Sequence, residues 1–196
     1  MGTFGASCPD LSEGLFMDAQ ELKDLDRLYS AIGFIAVRWA MMEQSLDFCI
    51  SIIYRDCGGN TLTKEIPRSM SNKIPFLRKA FRTIPSLLER QEWALNIFDR
   101  ITAIKELREG VIHAALNDTK HIDGKFFFTK IKYSSHQHYE EEFVFDVRNF
   151  PAQSTEFLDL AMLVTALGMW LQENHRPQPQ APQQPHQSKS RAPQTG

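Results

Sequence analysis

The chain has little cysteine, and what it has is poorly placed for chemistry: Cys8, Cys49 and Cys57 are odd in number and form no Cys-x-x-Cys pair. That excludes a disulfide-built scaffold and points to a reducing compartment. Zinc-ligand spacing is also missing, as are a Gly-rich phosphate loop and a Gly-x-Ser-x-Gly elbow. Nucleotide hydrolases, serine hydrolases and zinc enzymes are thereby disfavoured, and no metal or cofactor is expected. Met1 to Cys8 carries neither a basic stretch nor an apolar core, and Ala6 stands where myristoylation requires Ser or Thr. The expectation is a cytoplasmic protein without a secretory signal or lipid anchor. Long apolar runs are lacking too: the longest uncharged apolar stretch, Leu160 to Leu171, has 12 residues, where a bilayer span needs about 20. It reads as a buried helix, and no membrane partner is expected. Basic charge is not in excess either. The formal net charge is −2, and because Arg176, Lys189 and Arg191 lie in the last 21 residues without an acid, the body before them carries −5. Such a body is a poor general trap for phosphate.

What is present is enough apolar sequence, 42% of 196 residues, for one good core. Leu25, Leu28, Ile32, Ile35, Trp39, Met42, Leu46, Cys49 and Ile53 alternate three- and four-residue steps, which keeps one apolar seam along a long helix. Asp18 with Glu21 supplies a capping-box start, and Cys57-Gly58-Gly59-Asn60 a stop. A second helix is expected with Ser71 or Asn72 as cap, Pro75 in its first turn and Pro85 as its end. A third runs from about Leu87 with Ala94, Ile97, Ile101, Ile104, Arg108, Val111 and Ala115 in its seam. Lys125 to Tyr133 and Glu140 to Val147, both rich in aromatic and β-branched residues, flank the polar loop Ser134 to His138 and read as a β-hairpin. Phe143, Phe145 and Val147 share one of its faces. Ser154 or Thr155 caps a last helix ending near Asn174, in which Gly168 signals close packing. The expected domain is residues 18–174, with a flexible N-terminus at 1–17, the hairpin at about 123–147, and a disordered Pro/Gln-rich tail at 175–196 that holds five of the ten prolines and has too few apolar residues to fold.

Most polar features have ordinary explanations. Cys49 sits in the first seam as a small buried hydrophobe, His136 and His138 belong to a solvated loop, and Glu140 to Glu142 guard a strand edge. Pro179 and Pro182 have the spacing of a ligand for an SH3-like groove, although a passive linker explains them as well. Arg108 is different, because it occupies a seam position where the period calls for Leu or Ile. A charge there needs a partner, a cleft or a subunit interface. Pairing with Glu43 is one structural explanation. His113 follows five positions later, about 140° further round the helix, so the two meet only if the arginine stem bends or a second subunit completes the site. As the last helical histidine before Asn117 and Asp118, His113 also suits the negative end of a helix.

An Arg, four residues and a His late in a helical bundle resemble the HEPN superfamily. The residues that carry this likeness are Arg108-Glu-Gly-Val-Ile-His113, preceded by the long helix around Ile35 to Leu46 and by Arg68 to Leu77. It covers roughly residues 20 to 116. The resemblance implies a mainly α fold, a HEPN-like up-down four-helix bundle with an appended β-hairpin, that forms a homodimer in which two Arg/His pairs face one cleft. It implies a metal-independent endoribonuclease, a toxin or defence component with RNA and an antitoxin or other protein as partners. His113 would be the acid/base, Arg108 the phosphate clamp, and Glu43 the orienting group. Glu109 and Ala114 depart from the amide and glycine that many active members carry beside the motif. A non-catalytic protein-interaction module, with Arg108 and His113 structural, is the alternative.

Overall fold

The seam that begins at Leu25 builds helix α1, Ala19–Asp56, and it does so from the start that the sequence predicts. Asp18 accepts hydrogen bonds from the backbone N–H groups of Gln20 and Glu21, both at 2.7 Å, while the Glu21 carboxylate accepts from the Asp18 N–H at 2.8 Å. The remaining elements are α2 (Met70–Thr83), α3 (Gln91–His113), β1 (Ala115–Ile122), β2 (Lys125–Tyr133), β3 (His138–Asp146) and α4 (Phe150–His175). This computed structural model describes residues 18–134 and 137–175, and only the backbone of 118–121. The expected flexible N-terminus, the Pro/Gln-rich tail beyond His175 and the loop position His136 lie outside the described residues.

Of the α1 seam, Leu28, Ile35, Trp39, Met42, Leu46, Cys49 and Ile53 are buried. They pack on Phe76, Leu77 and Phe81 of α2, Ala94, Ile97, Phe98 and Ile101 of α3, and Phe157, Leu160, Val164, Leu167 and Leu171 of α4. By length and composition alone, Val147–His175 would be able to cross a bilayer; in this fold its apolar side closes the core. Burial pushes the Cys49 thiol up to about 12, so it behaves as a hydrophobe.

The direction of the helices differs from the expected up-down bundle. Phe34 meets Phe150, Ser45 meets Thr165, and Phe48 lies against Gly168. These contacts advance together along both chains, so α1 and α4 run parallel, whereas an up-down order would make them antiparallel. The pairs Arg90 with Trp170 and Arg100 with Glu156 set α3 antiparallel to α4. One connection accounts for the difference: the 57–69 segment leads back along α1 before α2 starts, so α2 runs parallel to α1, while α2 to α3 and α3 to α4 each reverse as in an up-down bundle.

Three further boundaries move. Ser69 takes the N-cap position of α2 without a side-chain capping bond, which puts Pro75 in its second turn, and Ile84 is extended (ψ 116°) as a residue before proline favours. Ser154 and Thr155 lie inside α4 and donate to the Pro151 carbonyl, so neither is its cap. Ala115 belongs to β1, a strand the sequence reading lacked, and the expected hairpin is the β2–β3 part of an antiparallel sheet ordered β1-β2-β3. Asp123 (φ 47°) and Gly124 (φ 73°) link β1 to β2 through the left-handed turn that this dipeptide favours.

Phe126, Phe128 and Phe145 are buried, and Phe143 is half-buried, where the sheet covers the end of α3. Gly110 is what permits that approach: a Cβ there would lie 2.7 Å from the Phe143 ring. Gly168 is a milder case, with Phe48 Cδ1 at 3.1 Å. Gly110→Ala should therefore destabilise the protein by about 1–3 kcal/mol despite alanine's better helix propensity, lowering the midpoint of a thermal melt by about 2–4 °C per kcal/mol.

Candidate functional site

The last two turns of α3 hold the charged residue of the apolar seam and end on the histidine. Val111 is buried, Gly110 sits under Phe143, and Glu109 contacts Lys130 of β2 at 3.4 Å. The sheet thus fixes residues 109 to 111 from one side, and Arg108 is directed to the other. There its guanidinium carbon lies 5.3 Å from the centre of the Trp39 ring, a cation–π distance. Ala114 turns extended (φ −95°, ψ 154°), so His113 ends the helix and its ring can fold back along it.

The result is a direct contact between Arg108 Nη1 and His113 Nε2 at 2.6 Å within one chain. The long arginine stem does bend, and no second subunit is needed to bring the two together. A guanidinium has only donors, so Nε2 accepts and the ring proton sits on Nδ1. Arg108 Nε is buried without a hydrogen-bond partner among the described residues, while His113 is exposed. Apart from the bond to His113, the guanidinium makes no hydrogen bond to the described side chains.

Glu43 is elsewhere. Its carboxylate lies 3.2 Å from Lys73 Nζ, which also reaches Asp47 at 2.7 Å. Neither the orienting role expected of Glu43 nor a structural Arg108–Glu43 pair matches this arrangement, because the buried ammonium of Lys73, only 3% exposed, demands compensation from both α1 carboxylates. Glu43 and Asp47 at i, i+4 on a helix of apolar seam were the signal for a buried cation that the sequence reading passed over. Trp39 was legible as core, but its role as the platform under Arg108 was not.

Glu109, next to the arginine, is held by Lys105 at 3.3 Å as well as by Lys130. Burial pushes its carboxyl upward, but the bonds and charges of the two lysines outweigh this and hold it below the usual range. Its negative charge is therefore locally compensated. Among the described residues no group of three His, Cys, Asp or Glu side chains is arranged to hold a metal ion. A groove of about 800 Å³ between the 62–68 connector and α2, lined in part by Lys64, Arg68 and Lys79, includes neither Arg108 nor His113. Comparison with known protein families, curated proteins and solved structures finds no match.

The tautomer is a direct consequence of this geometry and can be read by long-range ¹H–¹⁵N correlation spectroscopy above neutral pH. The wild-type His113 ring should carry its proton on Nδ1, and Arg108→Ala should shift it toward the Nε2–H form.

Proposed function

We propose that this protein cleaves RNA as a metal-independent endoribonuclease of HEPN type, with Arg108 and His113 as its working pair. The observation that carries this reading is the 2.6 Å contact between Arg108 Nη1 and His113 Nε2. It brings together a fixed positive charge suited to a phosphodiester and an imidazole nitrogen suited to proton transfer. A phosphate that takes the guanidinium draws it off Nε2 and frees the lone pair. His113 then accepts the proton of a ribose 2′-hydroxyl, the 2′-oxygen attacks phosphorus, and the bond to the 5′-oxygen breaks as that oxygen takes a proton from water. The products are a 2′,3′-cyclic phosphate and a 5′-hydroxyl, and Arg108 stabilises the charge that builds on the phosphoryl oxygens. Because the pair closes within one chain, each protomer of a dimer carries its own unit.

The buried Nε of Arg108 and the Trp39 ring beneath its guanidinium favour a second reading, a non-catalytic interaction module in which the pair only ties α3 to α1. Incubating a mixed RNA pool with purified protein in EDTA separates the two. The ribonuclease reading expects cyclic-phosphate ends from the wild type and a loss of about a hundredfold or more in both Arg108→Ala and His113→Ala, with circular dichroism unchanged. Absence of cutting, or equal trace cutting by all three proteins, selects the interaction module.

A further inference from the structure

The connector between α1 and α2 builds a groove whose charge runs against that of the rest of the chain. Residues 62–68 and α2 enclose about 800 Å³ between them. Lys64 and Arg68 line this groove from the connector, and Lys79 lines it from α2. Among the described residues none of the three forms an ion pair, and Lys79 makes only a 3.4 Å hydrogen bond to the Leu62 carbonyl. With Glu65 as the one acid in its wall the groove carries +2, while everything else before Arg176 carries −7. The groove is also built in advance of any ligand. Tyr54 Oη donates to the Lys64 carbonyl at 2.9 Å, and the Lys79 bond ties α2 to the connector. Its floor is apolar: Pro67 and Phe76 are buried, and Ile66 stands 46% exposed between the two connector cations. Asn72, one turn before Phe76 on the same side of α2, adds an amide.

We propose that this groove binds a small, soluble phosphomonoester with an apolar body. Charge, shape and size argue for that ligand. A phosphomonoester carries about −1.5 to −2 at neutral pH, which the +2 of the groove balances. Arg68 offers the planar fork that meets a phosphate through two parallel hydrogen bonds, and Lys64 and Lys79 act as point charges. An apolar body takes Ile66 and the rim of Phe76 out of water, which inorganic phosphate alone would leave wet. Clefts of about 300–1,000 Å³ are the usual size for small-molecule ligands. Extended polyanions and anionic membranes are poorer occupants. Either would lie against the surface around the groove, where the rest of the body is acidic, whereas a single dianion remains inside it. The inference does not depend on the ribonuclease reading, since the groove includes neither Arg108 nor His113.

Titration of the full chain with phenyl phosphate, followed by ¹H–¹⁵N NMR at 150 mM salt, tests it. The Arg68 Nε–H and Asn72 side-chain amide signals should shift with a dissociation constant of about 1 mM or tighter, and His113 should not move. Inorganic phosphate and phenol should each bind about tenfold more weakly. Arg68→Gln and Lys64→Gln, both at exposed connector positions, should each weaken phenyl phosphate about tenfold, with circular dichroism unchanged. Lys23→Gln, an exposed cation near the start of α1, should bind as the wild type does. The proposal is overturned by shifts that appear at His113 and not in the groove, by no shift up to about 10 mM, or by equal binding in both groove variants. Inorganic phosphate that binds as tightly as phenyl phosphate overturns the apolar part of the site. Tighter binding of a short oligoribonucleotide, or of phosphatidate vesicles, that both groove variants abolish overturns it in favour of a strand or a lipid surface.

Discussion

A single guanidinium in an apolar helical seam is the constraint around which this fold is organised. Arg108 occupies a position that the periodicity of α3 reserves for an aliphatic side chain, and a charge left there without compensation would cost several kcal/mol. The structure meets that cost with the face of Trp39 and the acceptor nitrogen of His113. Neither partner is a carboxylate, so the positive charge is accommodated without being neutralised. An arginine tied to Glu43 would have its charge satisfied; this one is still able to bind an anion. Lys73, by contrast, is held by two carboxylates and serves to fasten α2 to α1.

The three-stranded sheet is what makes that arrangement reproducible. Its inner face meets α3 at Glu109 and Gly110, between the two members of the pair, so the last turn of α3 cannot rotate without moving Phe143 and Lys130. The sheet also reverses the chain between α3 and α4, and because the 57–69 segment has already set α2 parallel to α1, α4 returns parallel to α1 as well. Parallel packing aligns apolar residues of the two helices along one crevice, and an exposed α1/α4 face follows from that alignment.

Much of this was legible in the residues, where the signal was local. The Asp18–Glu21 capping box, the α1 seam, the β2–β3 hairpin and the close packing at Gly168 all depend on spacing within a few turns or on side-chain shape. Strand β1 escaped because Asn117, Asp118, Thr119 and Lys120 lack the apolar alternation of a half-buried strand; the readable clue was Asp123-Gly124, a turn dipeptide that demands a strand on each side. Helix direction was not legible, because it is set by where connections lead and by pairs such as Ser45 and Thr165, far apart in sequence. Whether Arg108 and His113 meet through a bent arginine stem or through a second subunit was left open for a similar reason. Angles around a helix place Cα atoms, but a long arginine stem and a histidine at a helix end reach well beyond their own positions.

Helix α1 therefore has two unlike sides with one backbone between them. Trp39 supports the arginine from one side, and Val37, Met41 and Phe48 form the exposed ridge on the other. The two sides lie one helix diameter apart, about 10 Å, and the continuous helix Ala19–Asp56 that carries the buried seam fixes the Trp39 platform and the exposed ridge relative to each other.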